Sequence, residues 1–276
     1  MSLVFNFTCL SFRVSFVLHF SFLADLASAM RLHEQIAQAT LRFTDWQYTE
    51  SSESKSPSPT EIARYIDHTL LKPDATEQNI RKLCDEAVEY SVKTVCVNSS
   101  WIPLCVDILS KYAPTVAPIA VIGFPLGAGL TSAKVAEAKL AIEAGAKEID
   151  MVIQIGQLRS KEWGYVYNDI QQVCSACGSI PLKVILETCM LTKDEIIAAC
   201  VICREVGVAF VKTSTGFGGG GAKLEDVALM KAVVGERIQV KASGGIRTYR
   251  DAVKMFNAGA RRIGASATVA IVTAGT

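Results

Sequence analysis

From about residue 60 onward, short apolar runs alternate with longer stretches whose apolar residues recur at helical spacing. The runs at 65–71, 93–97, 116–122, 147–153, 181–187, 208–212, 237–241 and 260–264 have the length and composition of strands buried on both faces. Between them, Ile80, Leu83, Cys84, Ala87 and Val88 form an i, i+3, i+4, i+7, i+8 stripe, which predicts a helix over 76–91 packed on one face. Thr192-x-x-Glu195 and Thr248-x-x-Asp251 have the capping-box form that opens a helix. Gly145, Gly207 and Gly259 each close a helical stretch just before a strand, where left-handed backbone belongs. Eight such repeats predict an α/β fold, a (β/α)8 TIM barrel, with an open doubly wound sheet as the competing arrangement. The eighth unit is cramped, because only twelve residues follow Gly264.

The first 59 residues break the pattern. Residues 1–29 are rich in Phe, Ser and Leu and end in Ala27-Ser28-Ala29, an A-x-A pattern, yet Arg13 and His19 interrupt the apolar stretch. A targeting peptide, a disordered extension and translated sequence upstream of a start at Met30 all fit. No uninterrupted apolar run approaches the ~18 residues that span a bilayer. Residues 50–59 read as a low-complexity linker. The expected organisation is an N-terminal extension over 1–59 and a barrel domain over 60–276.

Composition narrows the function. The 276 residues are half hydrophobic and carry 28 basic and 27 acidic side chains without a basic stripe, so no nucleic-acid partner is expected. Nine cysteines, several inside apolar patterns, fit buried reduced thiols of a cytoplasmic protein better than a disulfide framework. Cys174-x-x-Cys177 and Cys200-x-x-Cys203 approach zinc-site spacing, but both pairs fall in helical patterns, so no metal is expected. The loop Gly123–Gly129 lacks the spacing of a dinucleotide motif. His68, beside Asp67, reads as a packing or hydrogen-bonding residue.

The chemistry lies at strand ends. In a barrel, residues ending the strands converge on one mouth, and here they are Asp67, Cys96, Asp150, Glu187, Lys212 and Lys241. Lys212 and Lys241 each close an apolar run and pass at once into small, glycine-rich chain. A lysine attacks a carbonyl only as the free amine, so burial and a neighbouring cation are what would activate one of the pair. Asp150 is the candidate proton-transfer carboxylate. The loops Thr215–Gly218, Ser243–Gly245 and Gly264–Ser266 follow strands six, seven and eight, where barrels commonly hold phosphate on backbone N–H groups.

The segments Val211–Gly218, Val240–Arg247, Glu148–Asp150 and Ile66–Pro73 together resemble deoxyribose-phosphate aldolases, over roughly residues 60–270. The resemblance implies a class I aldolase, without metal or other cofactor, that cleaves 2-deoxy-D-ribose 5-phosphate to glyceraldehyde 3-phosphate and acetaldehyde. It implies that Lys212 forms the Schiff base, while Lys241 lowers its pKa and moves protons with Asp150 and a water. Asp67 and Cys96 match positions lining the site, and Gly216, Gly244, Gly245 and Ser266 match positions around the phosphate. The implied partner is a small phosphorylated sugar, with self-association open. Three departures stand out: Ala267 replaces a second serine, no tyrosine ends the chain, and Gly218–Gly221 reads as an unusually free loop.

Overall fold

Eight parallel strands close into a barrel in chain order in a computed structural model, which describes residues 27–49 and 57–274. The strands are β1 (Ile66–Leu70), β2 (Thr94–Asn98), β3 (Ala117–Ile122), β4 (Glu148–Val152), β5 (Leu182–Ile185), β6 (Phe210–Lys212), β7 (Gln239–Ser243) and β8 (Ala260–Ala265). β1 pairs with β8 as well as β2, which completes the ring and excludes the open sheet.

The shell is helical. A first helix, α1, covers residues 27–42. It is followed by α2 (Pro59–Ala63), α3 (Glu77–Glu89), α4 (Ile102–Tyr112), α5 (Thr131–Glu143), α6 (Ile155–Arg159) and α7 (Trp163–Cys177). α8 (Lys193–Val206), α9 (Leu224–Val234), α10 (Tyr249–Asn257) and the short α11 (Thr268–Val272) complete it. Thr192 and Thr248 form the expected capping boxes, and Thr76 forms another with Asn79. Gly145, Gly207 and Gly259 have φ of +106°, +83° and +113°, so each supplies the backbone turn that a side chain would oppose.

The N-terminal region differs from expectation. Leu32, Ile36, Ala39 and Phe43 recur along one face of α1 and are buried in the same apolar core as the barrel helices. Beyond α1, Lys193 donates to the carbonyls of Thr44 and Trp46 at 2.8 and 3.1 Å, strapping the chain across the start of α8. The packed structure therefore takes in residues ahead of Thr60. The three readings bear on residues 1–29, of which 1–26 lie outside the described residues, as does most of the linker. Among the described residues no helix is long and apolar enough to cross a membrane.

Cys177, Cys200 and Cys203 are buried between the shell helices, with Cys174 partly so. Burial pushes the Cys177 thiol up to about 12. Among the described residues no cluster of three or more His, Cys, Asp or Glu side chains is arranged to hold a metal ion.

Candidate active site

Side chains alternate across a strand, so inward-facing residues lie two apart and stack in layers inside a barrel. Two sectors of the lumen are built differently. On β2 and β3 the inward layer is Cys96, Ile119 and Val121, joined by Leu71 and Phe124 in one small apolar cluster. From β4 round to β1 it is charged. Register pairs Asp150 with Lys183 and Lys212 with Lys241, bringing four strands' polar residues to neighbouring levels.

Asp150 is the hub. Its Oδ2 accepts from Lys212 Nζ at 2.9 Å and from Lys241 Nζ at 2.8 Å, and its Oδ1 accepts from Lys183 Nζ at 2.7 Å. Lys183 also lies 2.5 Å from Glu148, and Lys241 2.5 Å from Asp67. Arg262 donates to Asp67 at 2.6 Å and to Glu148 at 2.8 Å. Below them Phe210 offers its ring to Lys183 and Arg262, at 5.7 and 5.3 Å from the centroid. Asp150, Lys183 and Lys241 are fully buried, and Lys212 is 2% exposed.

The electrostatics separate the two lysines. Burial lowers the pKa of Lys212; Asp150 opposes that shift and Lys241 adds to it, leaving the amine below its ordinary value. For Lys241 burial acts in the same direction, but Asp150 and Asp67 outweigh it and hold the ammonium well above the ordinary value. Asp150 itself is raised by burial and pulled down further by Lys183, Lys212 and Lys241, so it stays a carboxylate. The second cation does lie where the sequence suggested, but burial is the larger cause of the Lys212 shift.

A cleft of about 300 Å³ opens above these groups and reaches Lys212, with Gly216, Gly244, Gly245 and Ser266 among its lining. A larger groove, about 620 Å³, lies outside the barrel between α1 and α7 and has no comparable convergence of charge. Asp67 and Cys96, expected to line the site, are fully buried and do not border the cleft: Asp67 grips Lys241, Arg262 and Thr94, and Cys96 packs in the apolar cluster within electrostatic reach of Lys212 and Lys241. Burial raises the Cys96 thiol. Glu187 turns away from the lysines and accepts from the Thr215 hydroxyl and backbone N–H. His68 hydrogen-bonds Glu86 at 2.7 Å between β1 and α3, in line with the packing or hydrogen-bonding role read for it.

The glycine run over the mouth is a matter of close approach as much as freedom. A Cβ on Gly220 would sit 2.4 Å from Cys189 Cβ, and one on Gly221 would sit 2.3 Å from the Gly244 carbonyl oxygen. The loops after β6 and β7 are in backbone contact, and Ala222 N–H donates to that same carbonyl at 3.0 Å.

The sequence reading missed Glu148, Lys183 and Arg262. Lys183 lies inside an apolar run, whereas Lys212 and Lys241 were read as closing theirs before glycine-rich chain. Glu148 stands two residues before Asp150 and so faces the same way.

Residues 62–273 match the model of the DeoC/LacD family aldolases. The chain belongs to that family. It is 56% identical over 214 residues to the deoxyribose-phosphate aldolase of Mannheimia succiniciproducens, covering 78% of this chain and 95% of the relative. A solved Coccidioides immitis protein assigned as a deoxyribose-phosphate aldolase superposes with a TM-score of 0.81 at 44% identity, over 87% of this chain and 96% of its own. The tetrameric deoxyribose phosphate aldolase of Aeropyrum pernix gives 0.72 at 31% identity, over 87% and 96%.

Proposed function

We propose that the chain cleaves 2-deoxy-D-ribose 5-phosphate to D-glyceraldehyde 3-phosphate and acetaldehyde through a Schiff base on Lys212. The observation that carries the reading is a buried amine of lowered pKa, 2.9 Å from Asp150 and beside a second ammonium, where a cleft reaches it. The 56% identity to a deoxyribose-phosphate aldolase supports the choice of substrate.

The chemistry follows from those groups. The Lys212 amine adds to the C1 carbonyl of the open-chain sugar, and loss of water leaves an iminium. Removal of the 3-hydroxyl proton breaks the C2–C3 bond. The electron pair flows into the iminium nitrogen and leaves an enamine, while glyceraldehyde 3-phosphate departs. A proton delivered to the enamine carbon and hydrolysis of the imine release acetaldehyde and restore Lys212. Asp150, held ionised, is the acceptor that orients the proton-carrying water. Lys241 remains the permanent cation beside it. Gly216, Gly244, Gly245 and Ser266 surround the position suited to the phosphate, with backbone N–H groups as donors.

The partner is thus a small phosphorylated sugar. The eight described cysteines are free thiols, which supports a cytoplasmic setting. Leu126, Leu130 and Leu140 are exposed, and the Aeropyrum pernix neighbour is tetrameric, which together support self-association of this chain. The purified chain should release glyceraldehyde 3-phosphate from deoxyribose 5-phosphate in a coupled assay and leave fructose phosphates intact. Preferential cleavage of a fructose phosphate would assign a different substrate, and no cleavage of either would point to a sugar-phosphate-binding barrel.

A further inference from the structure

The ion pairs in the lumen close on themselves. Glu148 meets Lys183, Lys183 meets Asp150, Asp150 meets Lys241, Lys241 meets Asp67, Asp67 meets Arg262, and Arg262 returns to Glu148. Each member touches two of opposite sign. Three carboxylates and three cations leave the ring formally neutral. Lys212 stands outside it, attached only through Asp150 Oδ2, an oxygen it shares with Lys241.

We propose that this neutral ring sets the protonation of Lys212, and that Glu148, Lys183 and Arg262 act through it as positioning residues for the Schiff-base amine. The inference rests on Lys212 being the nucleophile. An ammonium there is the one charge in the lumen without a carboxylate of its own, and an uncompensated buried charge is costly. Its proton is therefore the one the interior gives up first. The other groups facing Lys212 do not supply the missing counterion. Cys96 on β2 is kept a thiol by burial, and Glu187 after β5 is engaged by Thr215. Ser243 on β7 is uncharged, and Lys72 and Arg247 around the cleft are cations.

The lumen did not need charge to be filled. Barrel interiors are ordinarily packed with branched apolar side chains, and the β2–β3 sector here is. Replacing buried ion pairs by apolar residues is often neutral or stabilising. A closed ring of them over the Phe210 face, with every member no more than 8% exposed, is an expensive structural filler and a sensible electrostatic reference.

The test is the pH dependence of Lys212 trapping by acetaldehyde and borohydride, followed by peptide mass spectrometry. It would be run on the unmodified chain, Glu148→Gln, Lys183→Met and the double variant, with folding checked by thermal melts. Glu148→Gln leaves the ring one positive charge in excess, so the midpoint of Lys212 deprotonation moves to lower pH by about one pH unit. Lys183→Met leaves a negative excess, and the midpoint moves up by a similar amount. The double variant restores neutrality and returns the midpoint close to its starting value. Glu148→Gln is nearly isosteric, and the double variant is charge-balanced, so the test stands even if Lys183→Met fails to fold. In the unmodified chain the midpoint should also be insensitive to salt, as for a buried field. Shifts of the same sign, or none, with Lys212 still labelled, overturn the ring. An unmodified chain in which Lys212 takes no label overturns the nucleophile assignment instead.

Discussion

Lys134 and Lys212 are both buried and pair with buried aspartates at nearly the same distance, but of the two only Lys212 borders the cleft at the barrel mouth. Lys134 on α5 reaches Asp169 on α7 at 2.7 Å and also donates to the Val152 carbonyl. Lys212 reaches Asp150 at 2.9 Å. Burial lowers the pKa of both amines. The direction of a shift therefore does not distinguish a structural lysine from a reactive one. Partnership does. Among the described residues Lys134 is the cation that pairs with Asp169, with Thr131 donating to the same carboxylate at 2.7 Å, and it is only 1% exposed, between α5 and α7. Lys212 shares its carboxylate with two other lysines and faces an opening. A buried cation becomes chemistry where its counterion is oversubscribed and a substrate has a way in.

That contrast is broken most directly by substitution. Lys212→Ala is expected to lower turnover of deoxyribose 5-phosphate by roughly 10⁴-fold or more, because no other group forms the covalent intermediate. Residual turnover within tenfold of the unmodified chain would move the chemistry elsewhere. Lys241→Leu should cost about 10²- to 10⁴-fold while the protein stays folded, since the permanent cation and the grip on Asp67 and Asp150 go together. Near-normal activity would remove Lys241 from the mechanism. Lys134→Met should do the reverse. It leaves Asp169 buried without its cation and destabilises the fold by about 3–5 kcal/mol in urea unfolding. Turnover per folded molecule should stay within about twofold, and a large loss at constant folded fraction would erase the contrast.

The smallest effect concerns acid. Asp67 and Asp150 both have folded-state pKa values held below the ordinary carboxylate value: burial raises them, but the surrounding lysines and Arg262 outweigh it. Groups depressed in this way contribute stability in full above their unfolded value, about 3.9, and lose it as pH falls through the folded value. Urea midpoints should thus be flat from pH 7 to about 5 and fall below about pH 4. A midpoint unchanged down to pH 2 would mean the lumen carboxylates are not ionised in the native state.

Much of this was legible in the sequence, for reasons that differ by element. The barrel was readable because eight apolar runs and their helices are local patterns, and the glycines and capping boxes marked the joints. Lys212, Lys241 and Asp150 were singled out as strand-end residues, although Asp150 and Lys241 stand in the middle of β4 and β7. Glu148, Lys183 and Arg262 were passed over, Glu148 opening β4 and the other two lying inside strands. Which of them meet depends on register between strands distant in the chain, Arg262 reaching Asp67 195 residues away. Asp67 and Cys96 were read as strand ends, but Asp67 is the second residue of β1 and Cys96 the third of β2, since a strand's last inward residue and its middle one look alike without register. The helix 27–42 carried its own stripe in Leu32, Ile36, Ala39 and Phe43. The linker-like stretch after it drew the boundary too late.

The central claim is that one amine, on Lys212, forms the covalent intermediate while Lys241 beside it stays protonated. Borohydride reduction in the presence of deoxyribose 5-phosphate, followed by peptide mapping at neutral pH, reads this directly. The account predicts a single stoichiometric adduct on Lys212, with Lys134, Lys183 and Lys241 unmodified. An adduct on Lys241 with Lys212 unmodified would contradict it.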